Sequence, residues 1–321
     1  MKLLTAASPA GISVDITTRC RQVSQGFKMK IAYLVFAYKN PRLLKRTVER
    51  LSCSDSSFFI HIDLKCDLED FRAIRGENIV FADKRVRVSW AEFSGVKAIL
   101  MLIQAALVCQ DLFEYFLLLS GSEYPLQSSE YIHKFLVANQ PQEFISIVKM
   151  PNAEAGKPVS RINTLRIPSE QPVRRLLVRT LARLGLAQRD YRKHLGSLEP
   201  YSGHTWWALT REACQYIIDF GEHNVGVVKY FENTFAPEEM YFHTILGNSP
   251  FKSRIRRNLV YEDWSSRGSH PAMIDEQHIA FFRDRQKVII SDVYGFGEVL
   301  FARKFSDDNW DMVRRIEEAR E

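Results

Sequence analysis

Lys30-Ile31-Ala32-Tyr33-Leu34-Val35-Phe36-Ala37-Tyr38 is a nearly unbroken apolar run rich in β-formers, the pattern of a strand buried on both faces of a sheet. Asn40-Pro41 follows at once and opens a helix through Leu51, with Leu43, Leu44, Val48 and Leu51 at helical spacing. Proline suits that first turn, where its missing N–H costs nothing. Phe58 to Asp63 reads as a second strand ending in a carboxylate, a further helix is expected from about Asp67, and Asn78 to Phe81 reads as a short strand. This β-α-β-α-β order predicts an α/β fold on a parallel sheet, whose ligands gather at the carboxyl ends of the strands. Val35 lies within the first strand, while Tyr38 and Asp63 fall at strand ends. For Asp63 two readings stand side by side, a nucleotide contact and a cap on the following backbone.

Further along, Ser94 to Gln110 reads as a long, mostly buried helix feeding a strand at Tyr115 to Leu119. A turn, Ser120-Gly121-Ser122-Glu123-Tyr124-Pro125, then leads to a helix from Ser128 to Asn139 and a strand from Glu143 to Val148. Prolines, polar residues and Gly156 between Pro151 and Pro172 predict a long surface loop. An Arg-rich amphipathic helix is expected over 173–193, with Arg175, Arg179 and Arg183 on one side and Leu177, Leu181 and Leu184 opposite. It reads either as a solvated basic face over the core or as a dock for anionic lipid headgroups. Trp206 to Thr210 reads as a strand, on which adjacent tryptophans point to opposite faces, so that one can be core while the other faces a cleft.

The 321-residue chain is 46% hydrophobic and 26% charged, the balance of a soluble globular enzyme. A loose leader is expected over 1–28, one domain over 29–305 with halves meeting near residue 150, and a C-terminal helix over 306–321. Five scattered cysteines, without CxxC or metal spacing, argue for reduced thiols rather than a disulfide framework. The net charge of +6 suits an anionic partner. No apolar stretch reaches the roughly 18 residues of a membrane span.

The chemistry centres on Ala236-Pro237-Glu238-Glu239-Met240-Tyr241-Phe242. Pro237 places both glutamates at a helix start, where the dipole favours ionised carboxylates, and an ionised carboxylate on a rigid element can serve as a general base. An Arg-rich segment that reads as a strand, Arg254 to Tyr261, together with Phe301-Ala302-Arg303-Lys304-Phe305 and Gly203-His204-Thr205-Trp206-Trp207, could add cations and a stacking platform. A glycosidase needs two carboxylates flanking the bond, and adjacent residues on a helix diverge by about 100 degrees. A nucleic-acid module would alternate basic residues with exposed aromatics, which this chain does not.

In order along the chain, the first strand, His61-Ile62-Asp63, Val88-Ser89-Trp90 with Ser94 and Val96-Lys97-Ala98, Leu119 to Pro125, Trp206 to Arg211, Pro237-Glu238-Glu239, His270-Pro271 and Phe301 to Phe305 resemble the core-2/I-branching glycosyltransferase family. That family includes β-1,6-N-acetylglucosaminyltransferases and peptide O-xylosyltransferases. The resemblance implies a variant GT-A fold and inverting transfer from a UDP-sugar, preferably UDP-N-acetylglucosamine with UDP-xylose as the alternative, to an oligosaccharide, polysaccharide or lipid-linked glycan. Glu239 matches the catalytic base and Lys304 a lysine on the donor diphosphate. Arg257 is the best match for an arginine sharing that task, with Arg254 and Arg256 close competitors. Val35, Tyr38 and Asp63 match the nucleotide-sugar site, and Glu123, Trp206 and Trp207 border the acceptor.

Departures include Glu123 in place of the usual aspartate, Ala91-Glu92 where small residues are common, and His204 before the tryptophans. The animal members' anchor and disulfide cysteines are missing, which fits a bacterial-type cytoplasmic enzyme, with membrane contact through 173–193 at the inner face. A non-catalytic carbohydrate-binding relative is the third class, against which Glu239 and Lys304 weigh. No Asp-x-Asp motif follows a strand; Asp67-Leu68-Glu69 is nearest and reads as a helix cap. Two fixed cations can stabilise a leaving diphosphate in a metal's place, so no metal or other cofactor is expected.

Overall fold

The computed structural model describes residues 29–265, 268 and 270–320, apart from the side chains of Arg179 and Ala182. The expected leader, and Cys20 within it, lie outside the described residues.

The opening run forms β1 (Ile31–Ala37), followed by α1 (Pro41–Leu51), β2 (Ser56–Ile62) and β3 (Ile79–Phe81). Between β2 and β3 the expected helix is a single 3-10 turn, Glu69–Phe71, because only Phe71 and Ile74 there are buried, too few for a helical apolar stripe. Next come α2 (Ser94–Val108), β4 (Tyr115–Ser120), β5 (Tyr124–Pro125), α3 (Ser129–Ala138) and β6 (Glu143–Lys149). The second half contains α4 (Ser160–Asn163), α5 (Pro172–Arg183), α6 (Arg192–Leu195), β7 (Tyr201–Thr210), α7 (Arg211–His223), α8 (Val225–Phe231) and α9 (Tyr241–Gly247). It finishes with β8 (Ile255–Arg256), β9 (Val260–Glu262), α10 (Glu276–Arg283), β10 (Val288–Asp292), β11 (Gly295–Val299), β12 (Phe301–Arg303) and α11 (Trp310–Glu318).

Seven strands form the central sheet in the order β3-β2-β1-β4-β7-β6-β8. Its pairings are parallel except for those made by β7, which runs against both β4 and β6. The carboxyl ends of β1, β2, β4 and β6 therefore share an edge with the start of β7. Central strands carry the core: every residue of β4 is buried. A smaller apolar cluster, including Leu43, Tyr124, Phe282, Ala302, Phe305 and Ile316, docks α10, α11 and the C-terminal strands onto α1. Asp307 strengthens that docking by accepting from Leu43 N at 2.7 Å and Arg42 N at 3.2 Å, capping α1 from far along the chain.

The expected helix over 173–193 is two, because the chain turns at Gly185, whose φ of 74° lies in the left-handed region that ends helices. Its leucines do not face the core: Val173, Leu176, Leu177, Leu181 and Leu184 are all exposed. The Pro151 to Pro172 stretch is less superficial than expected, since Lys157 and Ile162 are buried. Arg254 to Tyr261 is not one strand; β8 joins the main sheet while β9 pairs with β12 in a separate one.

Between β6 and β7 the register slips, with Ile145 opposite Trp207 but Ile147 opposite Gly203. Gly203 packs so tightly there that a Cβ would lie 1.6 Å from the carbonyl oxygen of Ser146. Gly203→Ala is therefore expected to destabilise the fold by about 3 kcal/mol, the upper range for overpacking, lowering Tm by roughly 4–5 °C at this chain length. Gly226, in α8, has open space at its Cβ position, so Gly226→Ala should stabilise by about 0.5 kcal/mol. Thermal unfolding of the pair checks both, and equal Tm values would contradict the packing.

Candidate active site

The sheet's strand order reverses between β1 and β4, the place where open α/β sheets form ligand crevices. Backbone packing there is close: a Cβ on Gly121 would stand 2.7 Å from the carbonyl oxygen of Lys39. Asn40, at φ 58°, donates through Nδ2 to Gly121 O at 2.9 Å and Ser122 Oγ at 3.1 Å. Tyr38 stands 54% exposed at the mouth of this crevice, with Lys39 Nζ 5.4 Å from its ring centre. Lys304 follows β12 and is held by its own backbone, its N–H donating to Ala272 O at 3.2 Å and its carbonyl accepting from Ile274 N at 2.8 Å. Burial lowers the Lys304 pKa, and the charges of Arg303 and Lys39 lower it further. Like charges held together in this way are stabilised by an arriving anion.

Glu239 ends a 3-10 turn, Pro237–Glu239, just before α9. Its Oε2 accepts from Lys157 Nζ at 2.6 Å and from Arg161 at 2.5 Å. Burial opposes ionisation, but these cations outweigh it and hold Glu239 below the usual carboxylate range. Burial raises the adjacent Glu238 to about 8, helped by the charge of Glu239, so at neutral pH one glutamate is protonated and the other ionised. Both of these hydrogen bonds fall on Oε2, which leaves Oε1 of Glu239 unengaged by either cation. Lys157 also donates to Gly203 O at 2.9 Å, and Ser202 Oγ donates to the Glu239 carbonyl at 2.9 Å. The start of β7 thus positions the carboxylate.

A second buried charge cluster adjoins the first. Glu262 pairs with His204 and, at 3.0 Å, with Arg303. Burial disfavours its ionised form, yet His204 and Arg303 hold it far below the ordinary carboxylate value. Glu262 thus bridges His204, the neighbour of the Gly203 that holds Lys157, and Arg303, the neighbour of Lys304, which joins the Glu239 and Lys304 clusters along one wall. Exposed aromatics border it. Trp264, 42% exposed, lies against His204, and Trp90, 76% exposed, meets Phe235 edge-on at 5.7 Å beside Arg161.

Several residues expected to face the ligands are buried. Val35 is only 2% exposed, paired between β2 and β4, and supports the sheet instead of touching a ligand. Glu123 is completely buried, ion-paired with Arg303 at 2.9 Å and accepting from Ser120 N, so its carboxylate braces Arg303 and is not open to solvent. Trp206 and Trp207 are both buried, because both faces of β7 are covered here: Trp206 lies under the Arg303 guanidinium, 4.6 Å away, while Trp207 packs on Phe242. Neither offers an open platform. Asp63 accepts from Lys65 N at 2.9 Å and Val88 N at 3.3 Å, which favours the capping reading while leaving it at the end of β2.

Arg257 is buried, and its guanidinium pairs with Asp292 at 2.7 Å. Arg256 lies in β8, the edge strand beside β6, and Arg254 just before it pairs with Glu212. Asp67 accepts from Glu69 N at 3.0 Å, a local turn. Among the described residues no group of three or more His, Cys, Asp or Glu side chains could hold a metal ion. Sequence reasoning missed Lys157, Arg161 and Glu262. Their local sequences look like loop and strand-end residues, and only the tertiary fold brings their charges together.

Comparison with known proteins places this wall in context. Residues 31–284 match the family model described as Core-2/I-Branching enzyme. Xylosyltransferase 2 of Canis lupus familiaris is 25% identical over 80% of this chain and 29% of its own length. Xylosyltransferase 2 of Homo sapiens is 25% identical over 82% and 30%, and a xylosyltransferase of Ciona intestinalis is 22% identical over 74% and 27%. The chain thus spans less than a third of the length of these curated relatives. The apo structure of the bifunctional glycosyltransferase WbbM aligns over 93% of this chain and 53% of its own, at 10% identity and a TM-score of 0.40. With the family model covering most of its residues and a mainly parallel α/β sheet beneath its site, the chain belongs to the Core-2/I-Branching enzyme family of glycosyltransferases.

Proposed function

We propose that this protein moves a sugar from a UDP-sugar to a hydroxyl of a glycan acceptor, with inversion and without a metal. The observation that carries the reading is Glu239, kept ionised by Lys157 and Arg161 with Oε1 unengaged, on the same wall as Lys304. Glu239 accepts the proton of the acceptor hydroxyl as that oxygen attacks the anomeric carbon, and UDP leaves from the opposite face. Negative charge developing on the β-phosphate is met by Lys304 and by Lys39 across the crevice, in place of the expected Arg257. Tyr38 and Asp63, at the ends of β1 and β2, border the uridine, while Trp90 and Trp264 supply the sugar platforms in place of Trp206 and Trp207. N-acetylglucosamine is the donor sugar we favour; the xylosyltransferase relatives favour UDP-xylose as the second reading.

Glu239→Gln should lower kcat by about 10²–10⁴ with UDP affinity retained. Because the folded pKa of Glu239 is depressed, activity is lost on its account only as pH falls below the usual carboxylate value. Arg161→Gln removes one opposing cation and leaves burial less compensated, so the acid limb of the pH–rate profile should move upward. An unmoved limb would show that another group titrates there.

Calorimetry with UDP, UDP-N-acetylglucosamine and UDP-xylose, with EDTA or manganese, tests the donor site. Binding should survive EDTA and weaken about 10–100-fold in Lys304→Ala, the scale of one charge-assisted hydrogen bond. Loss of binding in EDTA would restore a metal to the site. Failure of every UDP compound to bind would leave a non-catalytic carbohydrate-binding protein.

The exposed apolar stripe of α5, flanked by Arg174, Arg175 and Arg183, supports peripheral contact with an anionic membrane at the cytoplasmic face, where a lipid-linked acceptor would lie. Among the described residues no helix is long and apolar enough to cross a membrane. Co-sedimentation with phosphatidylserine vesicles should capture the wild type, with binding falling at least about tenfold in a Leu177→Glu/Leu181→Glu variant. Equal partition of the two proteins would exclude α5 as the contact.

A further inference from the structure

At the edge of the sheet opposite the active site, before β1 and β2 begin, Met29, Cys53, Asp55, Ser129, His133 and Lys134 line a cavity of about 520 Å³. That volume falls within the range of small-molecule pockets. Cys53 is solvent-exposed and reduced. His133, on α3, places Nδ1 2.9 Å from Ser129 O, and its Nε2 lies 3.4 Å from Asp55 O and 3.9 Å from Cys53 Sγ. Both ring nitrogens therefore face acceptors. A neutral imidazole has one N–H and can serve only one of them, whereas the imidazolium serves both and leaves a positive charge against the sulfur.

We propose that Cys53 and His133 form a thiolate–imidazolium pair in this cavity, a site of S-thiolation by small disulfides that lies apart from the sugar-transfer machinery. The thiolate attacks one sulfur of a low-molecular-weight disulfide; the new S–S bond forms as the old one breaks. The departing thiolate takes a proton from His133 or solvent, so the protein thiol is oxidised and half of the disulfide is reduced. Burial opposes the Cys53 thiolate, but hydrogen bonds from His133 and Ser129 bring its pKa down to about 6. For His133 burial opposes charge, and the bonds to Cys53 and to the Ser129 carbonyl raise it to about 8.

The surrounding charges leave that pair intact. Lys134 pairs with Glu130 along α3 at 2.6 Å, and Lys30 pairs with Asp111. Asp55 adds a carboxylate on the turn that carries Cys53, and Tyr33, behind it on β1, is held un-ionised by burial.

The test is peptide-resolved mass spectrometry of the full chain after brief exposure to iodoacetamide or oxidised glutathione, across pH. A thiol of low pKa is more ionised but less nucleophilic, so the net gain near pH 6.5 should be about tenfold over Cys66 and Cys109. Oxidised glutathione should add one equivalent, at Cys53. In His133→Gln the Cys53 midpoint should rise by more than about one pH unit, so that labelling is slower than the wild type near pH 6.5 but faster above about pH 9, where both thiolates are formed and the one of higher pKa is the better nucleophile. UDP binding should be unchanged in Cys53→Ser. Labelling of Cys53 no faster than Cys66 in the wild type would overturn the proposal whether or not the variants fold. An unshifted midpoint in a folded His133→Gln would overturn it too.

Discussion

The ammonium of Lys157 joins three segments that are distant in sequence: its own loop, the carbonyl of Gly203 at the start of β7, and the carboxylate of Glu239 before α9. Burying a charge of this kind costs several kcal/mol unless its partners are good. Here they are fixed by the backbone. Gly203 is pressed against Ser146 by the register slip between β6 and β7, and Ser202 holds the carbonyl of Glu239. The antiparallel direction of β7 is what brings these residues to the carboxyl edge, since a parallel strand would place Tyr201 to His204 at the far end. Site and topology therefore depend on one another.

Two neighbouring glutamates take different states in this frame. Glu238 has no cation of its own and stays protonated, with Oε2 buried and unpartnered. Glu239 faces two cations and stays ionised. Pairs of carboxyl groups pushed apart in this way mark acid–base roles. The helix start invoked from Pro237 is a minor contributor beside Lys157 and Arg161, because a short 3-10 turn has little dipole to offer.

Local signals made the first half of the fold legible. Continuous β-forming runs in β1 and β4 and helical spacing in α1 are properties of short segments, and each stands as expected. Glu239 and Lys304 stand out in the sequence through a proline and a basic pair in ordered company, but the cations around each, which set their charge states, do not. Other residues depended on tertiary facts without a local signal. Trp206 and Trp207 follow one another on a strand, but both faces of β7 are covered, so neither is left facing an open cleft. Arg257 looks like its basic neighbours, yet the chain turns it inward onto Asp292 while Arg254, just before the edge strand, pairs with Glu212. Lys157 sits in a stretch rich in proline and glycine that reads as surface, and becomes buried only because Glu239 and Gly203 meet over it.

On the proposed reaction, a carboxylate held by two cations is a weaker base than a free one, since its lone pairs are already partly satisfied. Such a base suits a step in which departure of the leaving group runs ahead of proton transfer. The acceptor hydroxyl then becomes acidic as its oxygen bonds to the anomeric carbon, and a weak but permanently ionised acceptor is enough. Most of the barrier reduction must then come from the other side of the sugar, where Lys304 carries a pKa lowered by burial and by the charges of Arg303 and Lys39. A site that holds cations together without their anion gains most when charge develops on the diphosphate, so the electrostatic work falls at the leaving group and Glu239 sets direction.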